Sequence, residues 1–72
     1  MPEVKRQFYY ANYIIKVLRE ENYYYDESKV RMFIFRNVLT DNDFDKVKYF
    51  LKSSNNWSSF RVLMENEFED NF

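Results

Sequence analysis

No glycine occurs in this 72-residue chain, and its one proline is Pro2. Two-residue hairpin turns need backbone of positive φ and draw on Gly to supply it, so every reversal here must use Asn, Asp or a longer loop. That favours helices over strands. Cys and His are absent as well, which excludes disulfide staples and the structural zinc sites built on those ligands. Stability must come from packing, in a chain short enough that only roughly 60% of its unfolded surface can be buried. Eight Phe, seven Tyr and one Trp are available for it. Each aromatic ring buries about 150 to 250 Å², and sixteen of them are too many to hide. Some, chiefly Tyr, are expected on an interaction surface or a homodimer interface.

The densest apolar run is Val30 to Leu39. On a helix, Val30, Phe33, Ile34 and Val38 form one face, and Met32, Phe35 and Leu39 fill a second. This makes it a buried central helix, wet only around Arg31, Arg36 and Asn37 and covered by helix one and the Trp57 segment. Asp26 or Ser28 can cap it through a side-chain oxygen. The competing reading is a hairpin that pairs Tyr23 to Tyr25 with Val30 to Phe35 across a turn at residues 26–29.

The other elements follow from helical spacing. Pro2 and Glu3 suit a first turn, and Val4, Phe8, Ala11, Ile15 and Leu18 share one quadrant of a helix running from Pro2 to Glu21. Thr40-Asp41-Asn42-Asp43 is a helix start of the T-x-x-D kind, ahead of Phe44, Val47, Phe50 and Leu51, and predicts a helix over Asp41 to Ser53. After a polar loop whose last residue, Asn56, can cap, Trp57, Phe60, Met64 and Phe68 repeat at three and four. The fold expected is all-α, a compact bundle of three to four short helices in a single domain over residues 1–72. Four acids near the C-terminus oppose the helix dipole there, so residues 69–72 are expected to fray. The alternative fold is α+β, with a small antiparallel sheet from residues 23–35 and 59–65.

Catalysis by acid, base or nucleophile needs a tuned group in a pocket, and the chain has no His, no Cys and no Gly-rich phosphate loop. No enzyme activity, cofactor or small-molecule substrate is therefore expected. Asp41, Asp43 and Asp45 have the alternating opening of a calcium loop. Lys46, however, replaces its turning Gly and Lys52 its bidentate Glu, so helix capping is the reading and no metal site is expected. No apolar run approaches the ~20 residues of a membrane span, and no signal-peptide pattern is seen. A cytoplasmic protein is expected.

Three surfaces remain. Tyr23, Tyr24 and Tyr25 fall at a break, where exposed Tyr suits a protein interface. The tail mixes Glu65, Glu67, Glu69 and Asp70 with Phe68 and Phe72, which suits docking on a basic partner surface. Lys5, Lys16 and Arg19 line helix one beside Tyr9 and Tyr13, a basic and aromatic face able to meet a nucleic-acid backbone. Net charge is −1, so any basic character is local. Phe, Tyr, Met, Ile, Asn and Lys supply 35 of the 72 residues and Gly, Ala, Arg and Pro only 7, the bias of an AT-rich genome. The functional expectation is a small protein-binding module encoded by a phage or mobile element. It would act stoichiometrically on a host nucleic-acid-handling protein, a defence nuclease or the transcription machinery. The second reading is a DNA- or RNA-binding regulator that uses the helix-one face, as a dimer.

Overall fold

The missing glycines are replaced, at two helix ends, by other residues in the left-handed region. In the computed structural model, which describes residues 3–72, α1 spans Glu3–Glu20, α2 Glu27–Asn37, α3 Asp41–Ser53 and α4 Trp57–Phe68. The roles read for Pro2 and the Glu3 side chain lie outside the described residues. Asn22, at φ 59°, ends α1: its N–H donates to the Arg19 carbonyl and that of Tyr23 to the Leu18 carbonyl. This is the Schellman arrangement normally closed by Gly, and Asn is the residue that tolerates it best after Gly. Glu69 does the same for α4 at φ 53°, without the local hydrogen bonding that eases Asn into this region. α2 and α3 avoid the problem by ending in extended residues, Val38 and Ser54.

The starts are capped by side-chain oxygens. Asp26, not Ser28, accepts from the Lys29 N–H at 3.2 Å, and Asn56 accepts from that of Ser59 at 2.9 Å. Thr40 and Asp43 form a reciprocal capping box, with bonds of 3.1 and 3.3 Å. The three aspartates that resemble a calcium loop thus point to separate tasks. Asp43 closes the box, Asp41 accepts from Tyr10, and Asp45 pairs with Lys48 at 3.3 Å. Replacing Thr40 by Ala removes a cap typically worth about 1 kcal/mol. We expect a matching drop in the urea midpoint with an unchanged slope, and no change in midpoint would show the box to be idle.

No strand occurs among the described residues, so the sheet considered for 23–35 and 59–65 does not form. Residues 23–26 form neither helix nor strand, and α2 takes the apolar run instead. α1 packs chiefly on α2, and α3 on α4, with α1 also touching α3. The core joins Tyr10, Ile14 and Leu18 of α1 to Val30, Phe33 and Ile34 of α2, Val47 and Leu51 of α3, and Phe60 and Met64 of α4. A radius of gyration of 11.1 Å matches the ~11 Å of a compact chain this long.

Two expectations about the core are corrected. Val4 and Phe8 are 59% and 50% exposed. α1 has 18 residues against 11 in α2, roughly 27 Å against 16 Å, so α1 meets the last turn of α2 at Gln7 and Phe8, through the Phe35 carbonyl and ring, and Val4 lies one turn beyond. α2 is buried on one side only: Val30, Phe33, Ile34 and Val38 are fully enclosed, while Met32 is 57% exposed and Leu39 is exposed too. α1 covers it on one flank and the rings of Phe68 and Phe72 on another, and Met32 lies on the side that faces solvent.

Candidate functional site

The Tyr run alternates in burial. Tyr23 and Tyr25 turn inward and Tyr24 stands 95% exposed. The Tyr23 hydroxyl donates to the Ser54 carbonyl at 3.0 Å, fastening the α1–α2 loop to the α3–α4 loop. Tyr25 leans on Trp57, with ring centroids 6.4 Å apart.

Residues 69–72 lie back against the body rather than splaying from it. The Asp70 carboxylate accepts from Arg36 and from Asn37, both at 2.9 Å, and Arg36 also donates to the Asn71 carbonyl at 3.1 Å. Phe72 stacks on Phe33 at 4.0 Å and meets Trp57 edge-on at 5.0 Å. Its N–H donates to Glu65 at 3.1 Å.

Between the Tyr loop and this tail runs an open groove of about 620 Å³. Tyr24, Tyr25, Trp57 and Phe72 give it aromatic walls, and Asp26, Lys29, Arg61 and Glu65 give it charge. Two of these charges are engaged with each other, Arg61 with Glu65 at 3.1 Å, and Asp26 is occupied as the α2 cap. Lys29 makes no ion pair among the described residues, so a cation is left facing the groove. A volume within the ~300 to 1,000 Å³ of ligand pockets, open along its length, suits side chains of a peptide.

The groove unites Tyr24, Tyr25, Glu65 and Phe72, which the sequence singles out, with Lys29, Trp57 and Arg61, which it does not. Helical spacing assigns Trp57 to the core, and only the packing of the loop on α4 brings it to the groove. The other predicted residues are distributed elsewhere. Glu67 pairs with Lys46 at 3.1 Å, Phe68 packs edge-on to Phe33, and Glu69 is exposed at the helix end. Three of the four tail acids are therefore partnered within the chain, and the tail does not present a block of free carboxylates. Such exposed pairs are weak, ~0 to 1 kcal/mol each.

On α1, Lys5, Tyr9, Tyr13, Lys16 and Arg19 are all exposed. Tyr9 and Tyr13 rest edge-on against Phe44 at 5.8 and 5.3 Å, and Arg19 pairs with Glu27 at 3.3 Å. The neighbouring residue on α3 is Asp41, bonded to Tyr10. The Lys48 ammonium lies 4.8 Å over the same Phe44 ring, so the tyrosines have both a cation and an acid near them.

The hydrogen bonds from Asn37 and Arg36 hold the Asp70 carboxyl down at about 2 from its ordinary 3.8. A depressed acid stabilises the folded arrangement above pH ~4, and the contribution is lost as pH falls through about 2. Phe72 touches Trp57, so Trp57 fluorescence reports on the tail. It should change between pH 4 and 2 by an amount that Asp70→Asn removes, and an identical titration in the variant would refute the docking role.

The molecule is a small all-α domain with an aromatic-walled groove on its surface. No protein family model matches the chain, and no curated protein or solved structure matches it with significance. Among the described residues, no helix is long and apolar enough to cross a membrane.

Proposed function

We propose that this protein is a small, non-enzymatic protein-binding module that grips a peptide segment of its partner in the groove beside Tyr24. One observation carries the reading. Four aromatic side chains from three separate parts of the chain converge on one groove with an unpaired Lys29, and Tyr24 is left almost wholly exposed at its rim. Aromatic walls bury apolar area at low entropic cost, and Lys29 favours a segment carrying a carboxylate beside its apolar anchor. The charged residues of the groove support binding over catalysis, because Asp26 caps a helix and Glu65 is bonded to Arg61 and to the Phe72 N–H.

The partner we propose is a host protein that handles nucleic acid, a defence nuclease or the transcription machinery. The chain would be phage- or mobile-element-encoded, acting stoichiometrically in the host cytoplasm as an inhibitor or modulator. This part of the reading rests on the AT-rich composition and the surplus of aromatics. The test is capture from host lysate with the tagged chain, side by side with Tyr24→Ala, which is too exposed to disturb the fold. A partner recovered in equimolar amount and lost with the variant is the expected result. Recovery of nothing by micromolar bait, or equal recovery by both chains, would overturn it.

A further inference from the structure

We propose that the solvent face of α2, from Lys29 through Met32 to Phe35 and Arg36, receives an acidic amphipathic helix of the partner. This rests on the protein-binding reading and gives the chemistry of what is bound. Scattered exposed apolar residues are ordinary, whereas a contiguous set rimmed by charge marks an interaction surface. Here the set is contiguous. Phe8 and Phe35 meet edge-on at 5.1 Å across α1 and α2, and Phe35 and Met32 line a shallow hollow of about 460 Å³ with Ser28, Arg31 and Arg36. A second hollow, about 260 Å³, lies on the other side of Met32 between Lys29, Arg36 and Phe72, and through Lys29 and Phe72 it joins the groove.

The rim is cationic. Lys29, Arg31 and Arg36 flank the apolar centre; Glu27 and Asp70 pair with the two arginines, and Lys29 has no ion pair among the described residues. The chain itself shows what one end of this strip accepts: the tail brings an acid to Arg36 and the Phe72 ring to the wall of the second hollow beside Met32. A partner helix with apolar residues at i, i+3 or i+4 and i+7 would seat them in the hollows around Met32, its acids falling to Lys29. A second copy fits less well. Antiparallel pairing of two α2 faces about Met32 and Phe35 sets Arg31 against the other copy's Arg36, a like-charge contact.

The test uses the full chain and a fluorescent model peptide, an amphipathic helix with Leu on one face and Glu on its flanks, read by anisotropy. A second peptide carries Lys in place of each Glu. The acidic peptide is expected to bind at least about tenfold more tightly than the basic one, and Met32→Glu to weaken it by about tenfold or more. Met32 is exposed, so the variant keeps its fold, and unchanged circular dichroism checks this. Equal binding of both peptides, no binding of either, or indifference to Met32→Glu would overturn the proposal. So would a dimer that Met32→Glu dissociates in sedimentation, which gives the face to a second copy, or Met32-dependent binding of duplex DNA. If the peptides fail while lysate capture still depends on Tyr24, this inference alone falls; if capture fails too, the binding reading falls with it.

Discussion

Replacing Phe33 by Ala is expected to leave the chain largely unfolded in the absence of denaturant. Phe33 is fully enclosed at the centre of α2, with Phe72 stacked on it at 4.0 Å, Phe68 edge-on at 6.0 Å and the Arg36 guanidinium 5.9 Å from the ring centre. Truncating a buried Phe costs about 3 to 5 kcal/mol, in lost transfer energy and in the cavity left behind. A single core below about 80 residues rarely supplies more than ~3 to 5 kcal/mol in all. With no Cys for a disulfide to compensate, the two quantities are of the same size. Far-UV circular dichroism should lose most of its helical signal. Met32→Ala, one residue away on the open side of the same helix, should shift stability by no more than ~0.5 kcal/mol. A Phe33→Ala protein that keeps its helical signal and most of its urea midpoint would mean that the core is not built around α2.

The contrast between residues 32 and 33 also marks how far the sequence could be read. The inner face of α2 was legible, because Val30, Phe33, Ile34 and Val38 recur at the spacing of one helix face and all four are enclosed. The outer face was not. Periodicity identifies which residues lie together on a helix, but the number of neighbours available to cover a second stripe is a property of the assembled bundle. Val4 and Phe8 fail for a related reason: Val4 lies a turn beyond the contact of α1 with the end of α2, and Phe8 meets the Phe35 ring yet stays 50% exposed. α3 was legible to its end residues, because Thr40 and Asp43 state their capping box in the sequence. The groove was half legible. An exposed Tyr was deducible from three consecutive tyrosines, but which one stands out depends on Tyr23 finding the Ser54 carbonyl, 31 residues away. The tail's docking likewise depends on Arg36, 34 residues before Asp70. Sequence spacing carries local pairings well and pairings of that separation hardly at all.

A different asymmetry is expected at the contact between α1 and α3, where removing the acceptor should cost more than removing the donor. Tyr10 is 1% exposed and stacks on Phe44 at 4.5 Å, and its hydroxyl donates to Asp41 in the first turn of α3. Asp41→Ala leaves that hydroxyl enclosed without a partner, a loss of about 1 to 3 kcal/mol. The lost acid at a helix N-terminus adds ~0.3 to 1 kcal/mol. Tyr10→Phe removes the hydroxyl with its need, and the exposed Asp41 returns to water, so about 1 kcal/mol or less is expected. The double variant should then be more stable than the sum of the single losses, because the orphaned hydroxyl has gone. The same contact sets an alkaline limit. Burial, followed by the hydrogen bond to Asp41 and its charge, pushes the Tyr10 hydroxyl from 10.0 up to about 12, against a smaller opposing pull from Arg6. A raised pKa on a group that is neutral when protonated stabilises the fold in full below pH 10, and the contribution disappears as pH rises through about 12. Urea midpoints measured across that window should fall further in the parent chain than in Tyr10→Phe. Equal losses from the two single variants, together with parallel pH profiles, would show that this pair is incidental to the joining of α1 to α3.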